Sequence, residues 1–218
     1  MTVRIVPLTA AEFDAAAPAL VEVYIAAMGY PARIHAHRVS AWRRDSARPG
    51  FRAFCAVRSP AADSPAALRP GSPASSPASS PAGSDARVLG VAYGFHGSPQ
   101  TWWHQQVQRG VAYRRLPAAL LDGYFEVAEV QVSPEHQGRG LGRRLLRALL
   151  DVPAADPAHG TAPETHALLS TPEVPGEDNH AFRLYRSLGF HDVLRTFYFP
   201  GDSRPFAVLG APLPLPAP

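Results

Sequence analysis

Lysine is missing from this sequence altogether: all 21 basic residues are arginine. Together with abundant alanine and proline, this reads as the compositional bias of a GC-rich coding sequence. The formal net charge is only +3, and no run of basic residues is longer than two, so the chain lacks the basic stripe of a nucleic-acid surface. Its single cysteine, Cys55, excludes an intramolecular disulfide and any multi-cysteine metal site, and no metal is expected. No apolar run approaches the roughly 20 residues that span a bilayer, so no membrane association is expected. The opening segment MTVRIVPLTAAEFD has no charged leader before an apolar core, which predicts a cytoplasmic protein without a signal peptide.

What is present is a globular balance, 46% apolar and 18% charged, in a length that suits one domain covering residues 1–218. Residues 3–8 read as a strand. Thr9 is a good N-cap, with Glu12 in the first turn, for a helix over residues 10–28 that Gly29 ends. A second helix is predicted over 32–47, then a strand, FRAFCAVR, with Phe51, Ala53, Cys55 and Val57 on one face. Residues 59–86 collapse to Pro, Ala and Ser and predict a disordered inserted loop between two hairpin strands. A second insertion, 98–123, carries Trp102, Trp103, His104 and Tyr113 around a helical middle. Later come a strand over 166–171, a helix over 179–188 stopped by Gly189, and two closing strands.

The densest signal is EVAEVQVSPEHQGRGLGRRLLRALL, residues 126–150, where an alternating strand passes through a glycine-rich turn into an amphipathic helix. Gly138, Gly140 and Gly142 let backbone N–H groups close around an anion, and the helix start adds its own unpaired N–H groups. There is no Gly-Lys-Ser/Thr ending and no GxGxxG spacing, so the common nucleotide loops do not fit. Strict alternation places Glu126 on one strand face with Tyr124, Ala128, Val130 and Val132, and Glu129 on the other with Phe125, Val127 and Gln131. A bulge, common beside active sites, would change that count. Leu141, Leu145, Leu146 and Leu149 form the buried stripe of the following helix.

Gln137-Gly138-Arg139-Gly140-Leu141-Gly142 resembles the (Gln/Arg)-x-x-Gly-x-(Gly/Ala) signature of the GNAT superfamily of acyl-CoA-dependent N-acyltransferases. AFRLYRSLGF, residues 181–190, is similar to a later helix of that family. With the element order, the resemblance covers about residues 3–58 and 87–210. It implies an α/β (α+β) fold: a mixed, mostly antiparallel central sheet of six to seven strands, flanked by helices, with a splayed central parallel strand pair.

The resemblance also implies acetyl-CoA as the acyl donor. Main-chain contacts to pantetheine then fall on Val130, Gln131 and Val132. The pyrophosphate falls on the N–H groups of Gln137, Gly138, Arg139, Gly140, Leu141, Gly142 and Arg143, with Arg139 or Arg143 adding charge. Tyr185 takes the place of the acid that meets the leaving thiolate. Glu126, eleven residues before Gln137, matches a glutamate base, and Glu129 is its rival; either could act directly, through water, or only bind a cationic acceptor. The family's asparagine seven residues before the tyrosine is Asp178 here, with Asn179 one place later. Ser170 and Thr171 end the strand opposite the splay, where their hydroxyls either face the acceptor or bond to backbone.

The implied reaction is direct acetyl transfer, in a ternary complex, to the primary amine of a small-molecule or peptide acceptor. A non-catalytic acyl-CoA-binding regulator is the alternative, and a homodimer is compatible with either.

Overall fold

The computed structural model describes residues 2–58, 87–151 and 164–217; the predicted 59–86 loop and most of the proline-rich 153–164 segment lie outside these. The chain runs β1 (Val3–Leu8), α1 (Ala10–Met28), α2 (His35–Asp45), β2 (Arg52–Arg58), β3 (Arg87–His96), α3 (Trp102–Tyr113), β4 (Tyr124–Val132), α4 (Leu141–Leu150), β5 (His166–Pro172), α5 (His180–Ser187), β6 (His191–Phe197) and β7 (Phe206–Pro212). The strands form one seven-stranded sheet in the order β1-β2-β3-β4-β5-β7-β6. Every neighbouring pair is antiparallel except β4 and β5. This is the mixed sheet with a central parallel pair that the motifs imply.

Local chemistry sets the helix ends. Thr9 and Glu12 cap α1 reciprocally, the Thr9 hydroxyl accepting from Glu12 N at 3.2 Å and the Glu12 carboxylate accepting from Thr9 N at 2.8 Å. Gly29, at φ 66°, supplies the left-handed stop. Pro18, inside α1, has no N–H to offer the carbonyl of Asp14 one turn earlier. Arg43 Nε of α2 donates to that carbonyl at 3.1 Å, so the gap in one helix becomes a tie to the next. No described helix is long and apolar enough to cross a membrane.

Three apolar clusters cover the sheet. The leucine stripe of α4 and Phe182, Tyr185 and Leu188 pack with Phe125, Val127 and Leu169 on one side. On the other side, Phe13, Leu20, Val21 and Tyr24 of α1 and Trp42 of α2 pack on Ala53, Cys55, Val91, Tyr93 and Phe95. A third cluster joins Val107 and Val111 of α3 to Tyr124, Leu168, Leu194 and Val208.

The strand alternation predicted for β4 needs one correction. Tyr93 of β3 pairs with Glu129, but Gly94 pairs with Val127, leaving Ala128 as an extra residue. This β-bulge reverses the count beyond it, so Glu126 and Glu129, expected on opposite sides, lie on the same face. Their cross-strand partners, Phe95 and Tyr93, both belong to the α1/α2 cluster. Val130 and Val132 move to the α4 side with Val127.

Glycine is required opposite the bulge. A Cβ on Gly94 would lie 2.2 Å from the Glu126 carbonyl oxygen and 2.6 Å from the Phe125 ring. Gly94→Ala should therefore cost about 2–4 kcal/mol, read as a lowered urea midpoint at unchanged slope. A midpoint equal to that of the native chain would contradict this packing of β3 against the bulged strand.

Candidate active site

The parallel pairing of β4 and β5 is short. It includes Tyr124–His166, Phe125–Ala167 and Glu126–Leu168, and no later rung. β5 continues against β7 to Pro172, and β4 continues against β3 to Val132. The two strands part after Glu126, and residues 127–132 have no strand on the β5 side.

A cavity of about 500 Å³ occupies this opening. Of the residues singled out for the donor, Val130, Gln131, Val132, Gln137, Gly138, Gly140, Leu141, Gly142 and Arg143 line it, as does Tyr185. Arg139 is exposed and does not line it. The turn is shaped by Gly138 and Gly140, at φ 71° and 75°. At Gly142 the requirement is space, since a Cβ would approach Leu184 of α5 to 3.1 Å. The Gln137 side chain donates to the Val132 carbonyl at 3.1 Å and ties the turn to the strand. Among the described residues, no hydrogen-bond acceptor is recorded for the N–H groups of residues 138–143. These free donors, at the start of a helix anchored by buried Leu141 and Leu145, form a cradle that fits a pyrophosphate.

Tyr185 reaches the cavity from α5. Asn179 caps that helix, its side-chain oxygen accepting from Phe182 N at 2.8 Å, while Asp178 pairs outward with Arg183. The Tyr185 ring lies 5.8 Å from that of Phe190, centroid to centroid. Burial, and then the charge of Glu129, hold its hydroxyl well above the ordinary phenol range, so it keeps its proton and can donate it.

Both strand carboxyls are raised, chiefly by burial. Glu126, 6% exposed, is pushed up to about 8; Arg48 opposes the shift and Asp45 adds to it. Its Oε2 is buried without a hydrogen-bond partner among the described residues. Glu129, half-buried, is pushed up to about 7, against a Gln131 side-chain hydrogen bond of 2.8 Å and the charge of Arg38. Asp45 is held by Arg48 Nε at 2.9 Å and by the Tyr93 hydroxyl at 3.1 Å.

The aromatic insertion folds as α3. Trp103 Nε1 donates to Ser170 Oγ of β5 at 3.0 Å, and His104 contacts the Tyr124 hydroxyl at 3.1 Å. Trp102 and Tyr113 stay exposed, and Thr171 is buried. The turn after α1 meets the β6–β7 hairpin where Arg204 donates to the Tyr30 hydroxyl at 3.2 Å.

Sequence reasoning missed several lining residues, Ala27, His136, His180, Arg183 and Leu184, and the Asp45–Arg48 pair behind the carboxyls. The α5 residues carried a signal: one helical turn relates Tyr185 to Ala181, with His180 and Leu184 beside them. His136 and Asp45 carried none, because only the fold brings them to the site.

A family model described as an acetyltransferase (GNAT) domain matches residues 100–192. A GCN5-like protein acetyltransferase of Mycobacterium tuberculosis, Rv2170, is 42% identical over 197 residues, covering 88% of this chain and 89% of that protein. The fold is shared with solved structures at low identity. YncA from Salmonella typhimurium, a putative acetyltransferase solved with its cofactor acetyl-CoA, aligns at TM-score 0.54 and 17% identity, covering 98% of this chain and 95% of that one. The ribosomal-protein-S18-alanine N-acetyltransferase from Escherichia coli aligns at 0.52 and 16%, covering 97% and 94%. The chain belongs to the GNAT family of acetyltransferases.

Proposed function

We propose that this acetyltransferase moves acetyl from acetyl-CoA to a primary amine of a protein or peptide, by direct transfer in a ternary complex, and that residues 1–218 act as one domain. The observation that carries the reading is the β4 arrangement. One edge of the strand, with the N–H cradle beyond it, is open to a donor, while two raised carboxyls stand together on the opposite face. A protein acceptor is favoured by the extended likeness to a relative described as a protein acetyltransferase.

Bound acetyl-CoA supplies an acyl group activated as a thioester. Residues 138–143 bind the pyrophosphate through main-chain N–H groups, with Arg143 at the rim, and the free edge of residues 130–132 aligns the pantetheine arm. Glu126 is the base. It stands where β4 and β5 part, has an unpartnered oxygen, and its pKa is raised by burial, which makes it a stronger proton acceptor once ionised. Glu126 does not line the donor cavity, so the proton would pass from the amine to its carboxyl by way of water. Glu129, engaged by Gln131, orients a cationic acceptor; its charge adds to the burial that keeps Tyr185 protonated. Tyr185 holds a proton at its hydroxyl for the departing sulfur. Cys55 is unsuited to carry an acyl group, since burial pushes its thiol up to about 11.

Incubation with acetyl-CoA and lysine-containing peptides, following free thiol and acetylated product, tests the assignment. Because the chain has no lysine, every acetyl-lysine formed belongs to the acceptor. Tyr185→Phe should lower kcat about 10²-fold or more with CoA affinity within about twofold of the native chain. Unchanged turnover with tight CoA binding would instead favour a non-catalytic acyl-CoA-binding regulator.

The kcat/KM profile should rise with pH to a plateau above about 8, and Glu126→Gln should abolish that limb. Stability should show the opposite trend. The folded chain holds a proton on Glu126 that the unfolded chain releases near 4.5, so native stability falls as pH rises from about 4.5 to about 8. Glu126→Gln should flatten that decline in urea melts at pH 5 and pH 8.5; an unaltered slope would show that Glu126 is not a buried, proton-holding carboxyl.

A further inference from the structure

Away from the cleft, residues 100–116, QTWWHQQVQRGVAYRRL, contain three arginines and no carboxylate. Most of this segment is α3, which lies close against β6. The approach depends on Gly110, where a Cβ would meet Leu194 Cδ1 at 2.7 Å and Phe197 Cε2 at 2.8 Å. β6 is the edge of the sheet, and its register with β7 breaks between Leu194 and Phe197, with Thr196 at φ 51°. At this break the Arg195 carbonyl accepts from Arg114 Nη2 of the α3 end at 3.2 Å. A second cavity, about 260 Å³, lies between helix and edge strand, walled by Arg109, Tyr113, Arg114, Thr196 and Tyr198 among others.

The arginines here are not equivalent. Arg195 is neutralised by Glu173, Glu177 and Asp192. Arg109 donates only to Gln106 Oε1, at 3.2 Å, and Arg114 only to the Arg195 carbonyl; neither has an ion pair among the described residues. Tyr113 is 84% exposed and Tyr198 54%. Planar guanidinium donors match carboxylates, and arginine with tyrosine is the composition of protein-recognition surfaces. A cavity of this size admits one or two side chains and offers no track for a run of phosphates. The surface also lies on the acceptor side of the sheet, because Tyr124, two residues before Glu126 on β4, packs in the cluster with α3.

We propose that the α3–β6 surface docks an acidic segment of the protein acceptor, with Arg109 and Arg114 receiving Asp or Glu side chains between Tyr113 and Tyr198. This rests on the reading of the acceptor as a protein. It makes the insertion between β3 and β4 a selectivity element: a small amine needs only the cleft, whereas a protein amine gains affinity from a second contact.

The test titrates fluorescein-labelled hexaglutamate with the full chain by anisotropy. In parallel, it compares acetylation of a small primary amine with that of a lysine peptide carrying an acidic stretch. Hexaglutamate should bind, weaken with added salt, and weaken about tenfold or more in Arg109→Glu/Arg114→Glu; Arg109→Gln/Arg114→Gln should fall between. The charge-reversed chain should show a raised KM for the acidic peptide relative to the small amine. Equal hexaglutamate affinity in native and reversed chains would overturn the proposal, as would oligouridylate binding more tightly than hexaglutamate at the same arginines. If the native chain acetylates no amine at all, the acetyltransfer reading fails, while the anisotropy arm still decides the docking surface.

Discussion

Beyond Glu126, β4 has β3 on one side and no strand on the other, because its parallel pairing with β5 ends at the Glu126–Leu168 rung. An open strand edge inside a sheet is costly unless something satisfies its polar groups. Here it opens into the cavity lined by the glycine turn and Tyr185, so the unpaired edge and the free N–H groups of the turn face one space. The bulge at Ala128 acts at the same place. By inserting one residue it keeps Val127, Val130 and Val132 on the α4 side while bringing Glu126 and Glu129 together on the face shared with α1 and α2. Without it, one carboxyl would be buried in the α4 cluster.

Rigidity comes from the apolar clusters on either side. The leucine stripe of α4 fixes the turn that precedes it, Gly142 allows α5 to close against α4, and the Gln137–Val132 hydrogen bond joins the turn to the strand. On the opposite face, Arg43 and Pro18 join α2 to α1, and Asp45 at the end of α2 and Arg48 just after it act on Glu126 in opposite directions. Burial raises both carboxyls. Burial is the largest cause at both, so their altered pKa values follow from packing more than from any single partner.

Much of this was legible in the sequence because it is encoded locally. The Thr9–Glu12 cap, Gly29, the leucine stripe and the turn glycines are read from spacings within a few residues, and their elements fall where the spacings put them. The bulge was not legible. Ala128 is small and lies among apolar residues on both faces, so a period-two count passes through it unchanged. Only the cross-strand partner Gly94, which leaves room for the Glu126 carbonyl, reveals the extra residue. The surroundings of the carboxyls were hidden for another reason. Asp45 meets the sheet through the Tyr93 hydroxyl of β3, and with Arg48 it acts on Glu126 electrostatically; no short-range pattern marks such a proximity. The α3 insertion was visible as a helix rich in aromatics, but its close seat on β6 depends on Gly110, whose role is apparent only beside Leu194 and Phe197.

A structure determined with acetyl-CoA bound would give the distance from the thioester sulfur to the Tyr185 hydroxyl. A separation of about 4 Å or less is expected, with pyrophosphate oxygens within hydrogen-bonding reach of the N–H groups of residues 138–143. Acetyl-CoA seated outside the opening between β4 and β5, or a Tyr185 hydroxyl turned away from the sulfur, would contradict it.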